Sequence, residues 1–236
     1  MCKEMLKKLY NILAISILIL VLGGAFNLYF SVGYLCSILA HEAGHFYTAK
    51  YFNLKVRFGG FTPFGAFVVH EETASVKESA IIAVAGPVFG VVFALVCYFI
   101  YLLTENNTFL VLSYISVLMN LGNLIPVKPL DGGFIAEAVS PIICYLGLPL
   151  LLYLFITSER IKVKVILFIV LIIGTYQTYV LRKKYKEDKY YEIDRKFKIK
   201  LFSCYIIFLF ILLVIGVIYF KILGNVADLI SSIARF

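Results

Sequence analysis

His41-Glu42-Ala43-Gly44-His45 lies inside an apolar run that extends from residue 29 to residue 51. At helical pitch two histidines four apart stack on one face, close enough to share a Zn²⁺, and the glutamate beside the first can reach a water on that metal. The chain has three histidines, and two of them fall in this pentad. Ionisable groups in apolar surroundings cost about 3 kcal/mol each unless they pair or bind something. A metal site that activates water is therefore the stronger reading than two hydrogen-bonded core histidines.

The surroundings are those of a membrane. Apolar residues make up 62% of the 236 and charged residues 15%, with a mean hydropathy of +0.95; soluble domains carry about half apolar and a quarter charged. The expected fold is an all-α polytopic membrane protein of about six to seven transmembrane helices, with a short membrane-associated β-hairpin or re-entrant loop. The net charge of +8 comes from Lys and Arg flanking apolar runs rather than forming a face interleaved with aromatics. Their partner is the lipid bilayer and not nucleic acid. Five scattered cysteines with no CxxC pair suggest neither a disulfide framework nor a thiolate metal knuckle. Abundant Ile, Lys, Phe, Tyr and Asn with no Trp points to an AT-rich coding sequence, hence a low-GC bacterium.

Three regions follow. Residues 1–28 carry Lys3, Lys7 and Lys8 before an apolar run at about 9–26, read as a retained N-terminal span. Residues 29–133 form the catalytic core. There the pentad span is followed, from residue 53 to about residue 69, by Leu54-Lys55-Val56-Arg57-Phe58-Gly59-Gly60-Phe61-Thr62-Pro63-Phe64-Gly65-Ala66-Phe67-Val68-Val69, too short and glycine-rich to cross a bilayer and suited to a hairpin or re-entrant loop. Then come a span at about 80–103 holding Ala85-Gly86-Pro87 and Gly90, and another at about 108–126. Residues 134–236 supply further apolar runs at about 139–157, 161–181 and 201–220, with a charged stretch at 182–200 read as a solvated loop bearing interfacial tyrosines.

A zinc that does chemistry keeps three protein ligands and leaves one position open. The pattern with a third histidine six residues after the second is excluded, because Thr48 and Tyr51 occupy those places. Glu71, Glu72 and His70 are candidates, in what reads as an exposed acidic loop. Asp131, in Asn123-Leu124-Ile125-Pro126-Val127-Lys128-Pro129-Leu130-Asp131-Gly132-Gly133, is the leading one. Two prolines break that helix, and a double glycine lets backbone approach closely.

Together, His-Glu-Ala-Gly-His in one span, Ala-Gly-Pro in the next and Asn-Leu-Ile-Pro-Val-Lys-Pro-Leu-Asp-Gly-Gly later resemble the site-2 protease family of intramembrane zinc metalloproteases, peptidase family M50, over residues 29–133. The resemblance implies one zinc on His41, His45 and Asp131, with Glu42 as general base. It implies cleavage of a peptide bond in or beside a substrate's transmembrane segment, with Asn123 hydrogen-bonding the substrate or oxyanion and Pro126 and Pro129 shaping the cleft. The compact layout looks most like the sporulation factor IVFB branch, which processes a sporulation pro-sigma factor. Two departures stand out: no C-terminal CBS domain, and Gly90 where the family often has Asn after Ala-Gly-Pro. The hairpin, with Gly60 and Phe61, is the candidate for capturing an unwound substrate as a strand. Partners are a membrane-anchored protein or peptide substrate and a membrane regulator or inhibitor.

Two rival readings remain. One is a membrane protease maturing a small secreted peptide, pheromone or bacteriocin leader; the other is a non-catalytic metal-binding or transport protein. With seven spans, 17 of the 22 Lys and Arg fall on one side, which the positive-inside rule makes cytoplasmic. The N-terminus is then cytoplasmic in a multi-pass bacterial cell-membrane protein, and the active site lies in the cytoplasmic half.

Overall fold

The computed structural model describes residues 16, 28–62, 65–185 and 189–223. The expected first span and the tail beyond residue 223 lie outside the described residues. The rest is mostly helical: α1 (Leu28–Tyr51), β1 (Val56–Thr62), β2 (Gly65–His70), α2 (Val76–Thr104), α3 (Asn107–Asn123), α4 (Asp131–Val139), α5 (Pro141–Thr157), α6 (Ile161–Lys184), a 3-10 turn at Lys189–Tyr191 and α7 (Arg195–Leu223). Among the described residues three helices are long and apolar enough to cross a membrane, within Val76–Thr104, Val163–Arg182 and Arg195–Ile222, and Pro141–Thr157 is a shorter apolar helix.

The chain forms two units. The first comprises Met1–Glu71, Val88–Asn120 and Leu212–Phe236. Its α1 ends where Asn53 takes a left-handed φ of 58°; the Asn53 N–H donates to Lys50 O at 2.9 Å and the Leu54 N–H to Ala49 O at 3.1 Å. That pair of bonds is the Schellman arrangement, and asparagine tolerates the conformation it needs. The chain turns straight into an antiparallel hairpin, Val56 opposite His70 and Thr62 opposite Gly65, with a bulge between Phe58 and Gly60. Gly60 has φ 139°, a backbone conformation that a Cβ would strain. Phe30, Cys97, Val111 and Leu112 make this unit's apolar core, with Tyr34, Phe93, Phe109 and Ile115 packed on them.

The second unit comprises Glu72–Pro87 and Leu121–Ile211. Ser75 caps α2 by accepting from the Glu78 N–H, and the Glu78 carboxylate accepts from the Ala74 N–H at 2.9 Å, close to a capping box. A short core of Ala136, Cys144 and Leu181 is covered by Ile143, Tyr185 and Tyr191. Among its described residues the charged stretch is largely helical rather than a solvated loop. α7 begins six residues before its apolar run, at Arg195, and the hydroxyls of Tyr190 and Thr73 hydrogen-bond at 2.9 Å. Burial raises the Tyr190 hydroxyl above its usual value.

Candidate metal centre

Helical geometry through α1 puts His41 and His45 on one face, with their Nε2 atoms 3.1 Å apart and their rings edge to face. Two nitrogens on one tetrahedral zinc, each about 2.05 Å from it, stand about 3.3 Å apart. The pair is therefore already spaced for a shared ion. His41, Glu42 and His45 form a group that can hold a metal, each offering one donor atom and all of these within 4.8 Å of one another. Two imidazoles and a carboxylate suit zinc's preference for nitrogen and oxygen ligands. His41 is buried, and Glu42 and His45 are half-buried.

The buried side of His41 is specified by α3. His41 Nδ1 lies 2.8 Å from Asn120 Oδ1, and the Asn120 amide nitrogen donates to Ser116 O at 2.7 Å. Ser37 Oγ donates to Ser116 Oγ at 2.9 Å, and Ser116 Oγ to Gly90 O at 3.0 Å. A buried polar seam thus ties α1 to α2 and α3 within the first unit. Such seams hold their geometry because an unmade bond in a dry interior costs about 1–3 kcal/mol.

The other side opens. Glu42 forms one wall of a cleft of about 160 Å³, lined further by Leu39, Ala43, Phe46, Tyr47, Phe58 and Val68. Glu42 therefore belongs both to the metal-capable group and to the lining of a recess that Phe58 and Val68 of the hairpin also line. Gly60 sits at the bulge, and the Phe61 backbone pairs with Ala66; the Phe61 side chain lies outside the described residues. His70 and Glu71, sequence candidates for the third ligand, are at the hairpin's open end. There Glu71 pairs with Lys55 at 3.1 Å, half exposed, and the His70 Nδ1–H donates to Glu71 O at 2.6 Å. Neither belongs to the metal-capable group.

Asp131 is the first residue of α4 in the second unit, with Leu130 as the extended N-cap; the helix dipole favours an anion there. The sequence placed this aspartate in broken backbone, whereas it opens a nine-residue helix despite Gly132 and Gly133. Both glycines lie flat on the preceding loop. A Cβ on Gly132 would strike the backbone of Leu124 and Ile125, and one on Gly133 that of Val127 and Lys128. The double glycine thus brings α4 against residues 124–128 of its own chain. The loop is further held by the Tyr205 hydroxyl donating to Leu124 O and by a Lys128–Glu137 ion pair. Asn123 ends α3, half-buried, and Pro126 and Pro129 lie in the loop, Pro129 after a cis peptide bond.

Sequence reasoning missed Asn120, Ser116, Ser37 and Glu137. Ser37 and His41 are four apart on α1, and Ser116 and Asn120 four apart on α3. Polar residues recurring at that interval in apolar helices were the available signal.

No match is found among curated proteins. Residues 29–106, which span the pentad, the hairpin and α2, are similar to Peptidase family M50, and that likeness supports an intramembrane metalloprotease in general terms.

Proposed function

We propose that this chain is an intramembrane zinc metalloprotease that cleaves a peptide bond in or next to a transmembrane segment of a membrane-anchored substrate. The observation that carries the reading is the His41–Glu42–His45 group, with its imidazole nitrogens 3.1 Å apart, inside the stretch similar to Peptidase family M50. His41, His45 and Asp131 would hold the zinc. Bound there, zinc supplies Lewis-acid polarisation of a carbonyl and a lowered pKa for water.

Glu42 is the general base in this reading, supported by its place in the metal-capable group beside His41 and His45. It accepts a proton from the attacking water and returns it to the leaving amine, a general-base and general-acid pair of steps. The cleft it walls receives an apolar side chain of the substrate. A peptide bond inside a transmembrane helix is hidden by that helix's own hydrogen bonds, so the substrate must be unwound first. The two-stranded hairpin, including Gly60 and Phe61, offers backbone edges on which an extended segment can pair. By the resemblance, Asn123 would hydrogen-bond the substrate, and Pro126 and Pro129 would shape the path of its backbone. The finer reading is six to seven spans with the active site in the cytoplasmic half, in the sporulation factor IVFB branch, with a pro-sigma factor as the type of substrate.

The test is Glu42→Gln, which keeps shape but cannot take the proton. Membrane proteins from cells expressing wild type or Glu42→Gln are compared for new chain ends inside transmembrane segments. Fragments made by wild type and lost by orders of magnitude in the variant, with its zinc content unchanged, are the expected result. Equal fragments from both would sink the protease mechanism.

A further inference from the structure

We propose that Asn120 is a positioning residue that fixes the proton of His41 on Nδ1, leaving the Nε2 lone pair for the metal, and that Gly90 is the space this carboxamide needs. The inference rests on the metal reading above and adds to it the group that sets the ligand's tautomer.

The assignment follows from donors and acceptors. Asn120 has no exposed surface. Its nitrogen is the end that faces Ser116 O at 2.7 Å, since a carbonyl only accepts and the amide must donate to it. Oδ1 is thereby turned to His41 Nδ1 at 2.8 Å. An amide oxygen only accepts, so Nδ1 carries the hydrogen. A neutral imidazole protonated at Nδ1 keeps its lone pair on Nε2, the atom 3.1 Å from His45 Nε2. Partners of this kind hold ring orientation as well as tautomer, and removing one typically weakens metal binding 10–100-fold.

Gly90 completes the device. A Cβ there would overlap the Asn120 carboxamide itself, Nδ2, Oδ1 and Cγ alike, and Ser116, one turn away on α3, bonds Gly90 O. The carboxamide is thus held on the Ser116 carbonyl with its outer face on bare backbone. It cannot yield to a methyl group without leaving His41.

Two measurements on detergent-purified full-length protein test this. With three histidines in the chain, selective ¹⁵N labelling gives three imidazoles, assigned through His70→Gln and His45→Gln. The metal-free wild type should show His41 as the Nδ1–H form, and an Nε2–H His41 would overturn the proposal without any variant. Zinc dissociation constants from chelator competition then compare Asn120→Leu, Asn120→Asp and Gly90→Ala, each with its melting temperature. Asn120→Asp still accepts from Nδ1–H but cannot donate to Ser116 O, so it should melt lower yet bind zinc within about threefold of wild type. Asn120→Leu and Gly90→Ala should lose the Nδ1–H signature and about 10–100-fold in affinity. If Asn120 only held helices together, affinity would follow melting temperature, and equal affinities for Asn120→Asp and Asn120→Leu would refute the positioning role. Wild-type protein that binds no zinc would sink the metal reading instead, a result the tautomer measurement keeps separate.

Discussion

Lys128 and Glu137 make the most demanding test of the loop that leads into α4 and Asp131. The Glu137 side chain is 3% exposed and that of Lys128 20%, and Lys128 Nζ also lies 4.5 Å from the Phe134 ring centroid. Removing one member of a buried pair strands the other and costs about 3–5 kcal/mol. The two exposures make the cost unequal. Lys128→Met leaves a carboxylate with almost no route to water, so the full range of about 3–5 kcal/mol applies. Glu137→Gln leaves an ammonium that already reaches the surface and keeps its aromatic face, so about 1–3 kcal/mol is expected. In a protein of this size 1 kcal/mol moves the melting temperature by about 2–4 °C, so Lys128→Met should melt roughly 6–20 °C lower. The double variant Lys128→Met/Glu137→Gln, which removes both charges, should cost about 1–3 kcal/mol, well short of the sum of the two singles. Melting of the four proteins in detergent, followed by circular dichroism, closes the cycle. A Lys128→Met protein within about 2 °C of wild type, or singles whose costs add in the double, would show that the pair does not hold the loop.

Asp131→Ala should lose zinc while Glu71→Ala and Glu72→Ala keep it; metal analysis showing the reverse would move the third ligand to the hairpin end. Because Thr73 is buried and bonded to Tyr190, membrane sidedness is better read at Ala74 and Asn106. With single cysteines in a cysteine-free background, an impermeant thiol reagent on intact cells should label position 106 and spare position 74, and the opposite pattern would put the active site on the outer face. Lys55, hydrogen-bonding Glu71 through its side chain and its backbone N–H, holds that carboxylate below its usual 4.5. Its stabilising effect is therefore present above the unfolded value and lost as pH falls through the folded one; in an NMR titration, Lys55→Ala should return the Glu71 midpoint toward 4.5.

What the sequence revealed and what it hid divide along physical lines. The pentad, the hairpin and the end of α1 are local: two histidines four apart, Gly59-Gly60 among β-branched and aromatic residues, and Asn53 just past a helix announce themselves within a few positions. α4 was hidden because Gly132 and Gly133 each disfavour a helix by about 1 kcal/mol, and packing against residues 124–128 overrides that preference. The Asn120–His41 bond joins residues 79 apart in sequence. Four-residue spacing can mark each helix face but cannot say which two faces meet. The early start of α7 had a related cause, since Arg195, Lys196 and Lys198 ended the apolar pattern without ending the helix.

The junction between α1 and β1 has a mechanical meaning. Its two cap bonds on Asn53 and Leu54 leave four residues, 52–55, between the helix and the first strand residue, Val56. Phe58 and Val68 reach back to line the recess walled by Glu42. On the proposed reading, a strand captured on this hairpin would be referenced to the Glu42 carboxylate through this short joint, and the pair would work as a ruler. The scissile bond would be chosen by its residue count from the captured stretch, so inserting two residues between them should move the cut by two residues rather than abolish it.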